Sequence, residues 1–415
     1  MEGHVKLSRK EQKQLTLYPL VEKKVITLKE AGRKLGLSYR QVKRNYKRYR
    51  QSGASGLAHR LRGQPSNHKI PARHKEAVLN FYRKRLQGFN LQHASEKLRE
   101  NNLPVHAETL RLWLKAEGEW SPRRKKSRRH RNWRERKAHF GEMLQLDGSF
   151  HDWLSTGEQY CMMVLIDDAT NLTYARLYDE ETTKAAMEVL KDWIQTYGIP
   201  GSIYTDGKSV YKTDREPTIE EQLNDIKPKT AFGKVCEKLG IRLIGAHSPQ
   251  AKGRVERENG TLQDRAVNEL RYHGIDNIKD ANRFLETTFL PDLNGKFRKA
   301  PASEIDGHRK ADNLDTDAIF SWEYTRKINN DWTVRFQNQY YQLNGPGEQL
   351  PPAKKRVTVQ KRLDGSIHLF YRGRELAYKA ISKPVPPKES WRTKTANPWL
   401  GLGHKPSSDH PWRQA

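Results

Sequence analysis

Between Arg123 and Lys137 the chain reads RRKKSRRHRNWRERK, ten Lys or Arg against one Glu, and a run of that charge density cannot bury itself in a core. Whatever folds must therefore fold on either side of it. The 415 residues, 35% hydrophobic, suffice for about two to four separate cores, so a multidomain chain is expected. A formal net charge of +28, from 77 Lys plus Arg, points to a polyphosphate partner, DNA or RNA, ahead of a membrane surface. No apolar run approaches the roughly 20 residues that span a bilayer, and MEGHVKLSRKEQ at the start carries no signal-like apolar segment. A soluble, intracellular protein without a membrane partner is the expectation. Cys161 and Cys236 lie inside apolar segments and read as core residues.

On the N-terminal side, Thr27 to Gln51 contains two capping-box starts, Thr27 with Glu30 and Ser38 with Gln41, separated by Gly36. This is a helix-turn-helix pattern, within a DNA-binding domain over residues 1–60. Ala31, Leu35, Leu37, Val42 and Tyr46 make its inner face. Arg40, Gln41, Lys43, Arg44 and Lys47 are left outward on the second helix, where a major-groove reader needs them. Residues 70–120 repeat the theme less clearly, with VHAETLRLWLKAEG as the candidate recognition helix and Arg111 and Lys115 facing out. The basic linker, 121–138, supplies Arg123, Arg124, Lys125, Lys126, Arg128 and Arg129 as further contacts along phosphates.

From Met143 onward the texture changes to strands. MLQLD, YCMMVLIDD and LTYARLYD are three β-like runs, followed by an amphipathic helix from Thr183 to Tyr197 and the strand SIYTD. A helix near Ala231 to Leu239 then leads into the strand IRLIGA. The order βββ-α-β-α-β-α implies a mixed sheet flanked by helices. Asp147 is expected to end the first strand and Asp206 the fourth, the positions where open α/β sheets place their chemistry.

After the fifth strand comes AHSPQAKGRVERENGTLQDR, read as a loop turning into a helix, with Ser248 and Pro249 at its start. Val255, Leu262, Ala266 and Leu270 form its apolar stripe, and Glu256 lies beside them. Lys252, Arg254, Arg257 and Arg265 give the helix a positive surface, with Lys252 and Arg254 as phosphate contacts. If Asp147, Asp206 and Glu256 converge, their repulsion calls for cations, and hard oxygen ligands suit Mg²⁺ or Mn²⁺. Two such ions roughly 3.5–4 Å apart can activate a water or a 3′-hydroxyl on one side of a phosphodiester and stabilise the leaving oxygen on the other.

QLDGSFHDW around Asp147, YTDGKSVY around Asp206 and SPQAKGRVERENGTLQDR around Glu256 resemble the three motifs of the DDE transposase and retroviral-integrase superfamily, whose core is ribonuclease H-like. Over nearly the whole chain the arrangement is similar to insertion-sequence transposases of the ISNCY group. The resemblance implies an integrase core over 139–300, Asp147, Asp206 and Glu256 as catalytic metal ligands for two Mg²⁺ ions with Mn²⁺ as a substitute, and 3′-end cleavage and strand transfer at terminal inverted repeats. It also implies double-stranded DNA, both element ends and target, as partner, a homo-oligomer of two or more copies on paired ends, and a bacterial cytoplasmic, nucleoid-associated setting. Two departures stand out. Asp206 and Glu256 have 49 residues between them, wider than is usual, the excess falling in the acidic stretch Thr213 to Thr230, read as a surface loop. No His-His-Cys-Cys zinc module opens the chain.

Residues 318–382 read as β again, five short strands with an Asp364-Gly365 hairpin turn, and suggest a small C-terminal β-barrel. The tail, 383–415, is expected to be extended. The expected fold class is thus helical helix-turn-helix domains, an α/β ribonuclease H-like core and a small barrel. A DNA-binding regulator that keeps the fold without activity, and a nuclease that cuts without joining, remain alternatives.

Overall fold

The computed structural model describes residues 7–59, 69–122, 135–223, 225, 227–245, 254–312, 314–345 and 350–382. They fall into two compact units, Met1–Phe81 and Tyr82–Ala415.

In the first unit, helices α1 (Arg9–Glu22), α2 (Leu28–Leu35) and α3 (Tyr39–Ser52) are followed by α4 (Ala72–Phe81). All of the first three open on capping boxes: Ser8 with Glu11, Thr27 with Glu30, and Ser38 with Gln41. Each box satisfies two backbone donors that would otherwise be orphaned. The last two boxes and the left-handed Gly36 (φ 65°) between them are the features that the sequence shows. Helix α1 is an addition; its signal is the Ser8–Glu11 box, masked by Pro19 inside the helix. Tyr18, Ala31, Val42 and Leu57 are buried at the centre, with the Tyr18 ring edge-on to Tyr46 at 5.6 Å.

The second unit starts with helices α5 (Leu91–Glu100) and α6 (Ala107–Ala116), then strands β1 (Leu144–His151), β2 (Tyr160–Asp167) and β3 (Thr173–Tyr178). Helix α7 (Thr183–Tyr197), β4 (Ser202–Thr205), the short α8 (Ile219–Leu223), α9 (Ala231–Lys238) and β5 (Arg242–Gly245) follow. Then come α10 (Val255–His273), α11 (Ile278–Phe284) and α12 (Leu290–Phe297). The sheet order is β3-β2-β1-β4-β5, antiparallel among the first three and parallel from β1 to β5. Strand β2 explains why YCMMVLID is apolar throughout. Cys161, Met163 and Leu165 enter the core beneath α7 and α9 with Trp193 and Phe232, while Met162 and Val164 enter the opposite core with Leu262, Ala266 and Leu270 of α10. A strand covered on both faces has no polar alternation to show. Cys161 and Cys236 are buried and unbridged, as expected.

The helices of residues 91–116 belong to this same compact unit rather than standing free. Arg265 of α10 grips Glu96 of α5 through two bonds of 2.9 and 3.2 Å, and Lys296 reaches the same carboxylate at 3.1 Å. One turn on, Glu269 receives His93 at 2.6 Å and Lys97 at 2.9 Å. Arg265 is therefore not part of a positive outer surface; it is 7% exposed and spent on an internal pair.

Beyond α12 the chain crosses back over the core, where Ile199 and Arg309 exchange backbone hydrogen bonds of 2.8 and 2.9 Å. The C-terminal region holds seven strands rather than five: β6 (Ser321–Lys327), β7 (Thr333–Phe336), β8 (Gln339–Leu343), β9 (Arg356–Arg362), β10 (Ile367–Tyr371), β11 (Arg374–Leu376) and β12 (Tyr378–Ile381). They make two sheets, β11-β10-β9-β6 and β12-β8-β7, around a shared core that includes Val334, Val359 and Leu369. Only Ala377 separates β11 from β12, so the chain turns from one sheet into the other there, and no ladder joins the two sheets among the described residues. The tail 383–415 lies outside the described residues.

Burial alone would raise the Glu96 carboxyl, but hydrogen bonds from Arg265 and Lys296 and their charges outweigh it and hold the group at about 2, against an ordinary 4.5. A depressed acid contributes stability that is complete above its unfolded value and is lost as pH falls through the folded one. Glu96→Gln is accordingly expected to be less stable than wild type at pH 7, with the gap closing between pH 4.5 and about 2 in denaturant unfolding series.

Candidate active site

One face of β1 is zipped to α10. Gln145 Oε1 accepts from the Val255 backbone N–H at 3.3 Å, Asn259 Nδ2 donates to Asp147 Oδ2 at 3.1 Å, and Gln263 Nε2 donates to Ser149 Oγ at 3.1 Å. Two residues of strand rise about 6.7 Å and four of helix about 6 Å, so alternate strand residues can meet every fourth helix residue. Glu256 is three residues before Asn259 and seven before Gln263, which puts it on this same edge of α10, exposed at the helix start. Glu258 points elsewhere: it is buried, its burial pushes the carboxyl up to about 7, and its polar neighbour is Thr173.

Asp147 does not end β1, as the sequence suggested; it is the fourth of eight residues, because the strand runs on to His151 beside β2. The parallel pairing with β4 does stop nearby, at Gln145 opposite Tyr204. Carrying that register two residues further sets Asp147 opposite Asp206, which follows the last residue of β4 as expected. Asp206 is 20% exposed, and its Oδ1 accepts the backbone N–H of Lys208 at 3.1 Å. Among the described residues no three His, Cys, Asp or Glu side chains form a group that could hold a metal ion. What the strands supply is two aspartates just beyond the end of the β1–β4 pairing, both near enough to act on the Lys208 ammonium, with Glu256 at the start of α10.

Four further residues complete the surroundings: Gly148, Lys208 and Tyr211 inside the motif stretches, and Glu181 outside them. Glu181, in the turn before α7, is 5% exposed at its side chain and pairs with the Lys208 ammonium, while its other oxygen accepts the Tyr211 hydroxyl at 3.2 Å. Gly148, next to Asp147, is where this carboxylate sits: a Cβ there would lie 2.4 Å from Glu181 Oε2. Burial would lower the Lys208 ammonium, but the hydrogen bond to Glu181 and the charges of Glu181, Asp206 and Asp147 raise it instead. The missing Cβ at residue 148 is the one sequence clue to this cluster.

Of the expected phosphate contacts, Arg40, Gln41, Lys43, Arg44 and Lys47 are all exposed on α3, although Gln41 also caps Ser38. Lys115 is exposed; Arg111 is half-buried, bonded to Glu108 at 2.7 Å and lying 5.0 Å over the Trp120 ring. Arg123, Arg124, Lys125, Lys126, Arg128, Arg129 and Lys252, and the helix start at Ser248 and Pro249, lie outside the described residues. Arg254 is spent internally, since its guanidinium pairs with Asp168, which is wholly buried and also accepts Gln145 Nε2 at 2.7 Å and the Lys137 N–H at 2.9 Å. Asp167, also buried, accepts from Gly141 N–H and from Thr170, so the two acids tie down the hairpin end rather than enter the site. In the acidic insertion, Arg215 clamps Glu221 by bonds of 2.7 and 2.9 Å, and Asp214 pairs with Lys212 at 2.9 Å.

Against known proteins, a family model described as "Helix-turn-helix domain" matches residues 20–66. "Putative transposase y4bF" of Sinorhizobium fredii is 32% identical over 387 residues, covering 92% of this chain and 83% of its own length. The chain belongs to the transposase family. "Transposase for insertion sequence IS1202" of Streptococcus pneumoniae is 28% identical over 431 residues, covering 93% of this transposase and 90% of its own length. Among solved structures, a chain of "CryoEM structure of simian T-cell lymphotropic virus intasome in complex with PP2A regulatory subunit B56 gamma" aligns with 71% of the transposase and 96% of itself. Its TM-score is 0.31 at 16% identity, too low to bear on fold or function. No helix among the described residues is long and apolar enough to cross a membrane.

Removing one partner of a buried ion pair leaves an uncompensated charge, at a cost of about 3 kcal/mol. Arg254→Ala is therefore expected to lower unfolding stability by about that amount. An unchanged unfolding midpoint with weakened DNA binding would restore Arg254 to the phosphate contacts.

Proposed function

We propose that the transposase cleaves the 3′ ends of its mobile element and joins them to target DNA, with Asp147, Asp206 and Glu256 as the acidic centre. The observation that carries this reading is the β1–β4 pairing, which ends at Gln145 and Tyr204 and leads on toward Asp147 and Asp206, with Glu256 one turn before the Asn259 that bonds to Asp147. The three carboxylates offer hard oxygen donors, which fit Mg²⁺ or Mn²⁺. Such ions, when bound, activate the attacking hydroxyl and stabilise the leaving oxygen. Asn259 fixes the rotamer of Asp147, and the Lys208 N–H that Asp206 accepts restrains the second aspartate.

DNA recognition is assigned to α3, whose exposed Arg40, Lys43, Arg44 and Lys47 project from the second helix of the helix-turn-helix. Terminal inverted repeats are the natural targets of such a reader in a transposase, and joining two ends requires at least a dimer. The basic linker 121–138, which in the sequence joins residues 70–120 to the core, would contact phosphates.

The test is joining of a pre-cleaved element end to plasmid DNA in Mg²⁺. Wild type should form strand-transfer product, and Glu256→Gln should bind the end with unchanged affinity while its product falls below about a hundredth of wild type. Equal joining by the two proteins removes Glu256 from the centre; end binding by wild type without cutting or joining favours a regulator.

A further inference from the structure

Lys208 and Phe150 stand together beside the acidic residues, Phe150 on the face of β1 opposite to the Asp147 side chain and Lys208 reaching Asp206, and neither side chain is needed for the chemistry above. Lys208 is held from below. Its ammonium pairs with the buried Glu181 and lies 3.6 Å from Asp206, yet its side chain remains 44% exposed. Glu181 is in turn fixed by Tyr211, itself buried with its ring edge-on to Phe232 at 5.4 Å, and by the room that Gly148 leaves. A lysine anchored by a buried carboxylate keeps its charge at one point instead of sweeping solvent. Phe150, three residues beyond Asp147 on β1, is 48% exposed and lies 5.9 Å under the same ammonium. An exposed phenyl face beside a fixed cation is the pairing by which proteins take hold of an unstacked nucleotide, the ring for the base and the cation for the phosphate.

We propose that Phe150 and Lys208 form a nucleotide subsite next to the acidic centre, Phe150 stacking a base splayed from the DNA end and Lys208 contacting the phosphate of that nucleotide. The assignment rests on the transposase chemistry proposed above. Glu181 and Tyr211 are its positioning residues: they touch no DNA and set where the ammonium lies. The subsite acts on a frayed or unpaired base at the end, because a base inside intact duplex cannot present its face to a ring.

Equilibrium binding of a pre-cleaved end duplex, followed by fluorescence anisotropy across a salt series, tests this without relying on catalysis. Lys208→Met should weaken binding about five-fold and reduce the slope of log affinity against log salt by about one, whereas Lys208→Arg keeps both near wild type. Phe150→Ala should weaken binding about ten-fold, since stacking on an aromatic side chain carries that order of effect. Duplexes carrying one methylphosphonate, or one abasic position, are then scanned along the end. A single methylphosphonate should weaken wild type and leave Lys208→Met unaffected, and an abasic position at that nucleotide should do the same for Phe150→Ala. If every duplex is weakened alike by each substitution, the residues act only structurally and the subsite is wrong. Joining assays keep the two claims apart: wild type that binds but never joins overturns the chemistry, while joining with no position sensitive to Lys208 overturns the subsite alone.

Discussion

Everything in the core depends on how α10 is laid along β1. Three polar side chains on one face of the strand, Gln145, Asp147 and Ser149, each meet the helix at intervals of four residues. The apolar stripe of Val255, Leu262, Ala266 and Leu270, buried to 1% exposure or less, supplies the attraction, but it fixes neither depth nor rotation closely. The polar contacts do, because each is directional and a slip of one residue along the helix would break all three. Register is thus set by hydrogen bonds and held by hydrophobic burial, and it leaves Glu256 one turn before the Asn259 that bonds to Asp147.

The same helix is pinned from its other side. Glu96 and Glu269 collect cations from three elements, α5, α10 and α12, and both carboxyls are held below their usual range despite burial. At the start of the helix Arg254 meets the buried Asp168, which also receives Gln145. Gln145 thereby links the β2–β3 hairpin, β1 and the first turn of α10 in one connected set of bonds. Buried charges of this kind add little net stability over apolar packing, but each mispaired alternative leaves a bare charge, which favours one arrangement over its neighbours.

Much of the fold was legible in the sequence because its signals are local. Capping boxes at Thr27 and Ser38, the left-handed glycine at residue 36, the both-face apolar run of β2 and the heptad-like stripe of α10 each involve residues within a turn or two of one another. Where the signal was masked the reading fell short. Pro19 hid α1, and the three-residue β11, one residue from β12, is too short to carry a pattern, so two sheets were read as a barrel of five strands.

The sequence by itself determined the order of the five core strands, the helix-turn-helix and the places of Asp147, Asp206 and Glu256 along the chain, since composition, periodicity and capping act over short separations. Only the tertiary structure decided which charges are free to act. Arg265 and Arg254 look identical in the sequence to the exposed cations of α3, yet each finds an acid more than 80 residues away and is consumed by it. Glu181 lay outside every motif, Phe150 and Lys208 lay inside two of them without a role of their own, and the three came together because Gly148 leaves a gap into which a distant carboxylate fits. A side chain's role follows from its partner, and partners separated by that much chain are chosen by the fold.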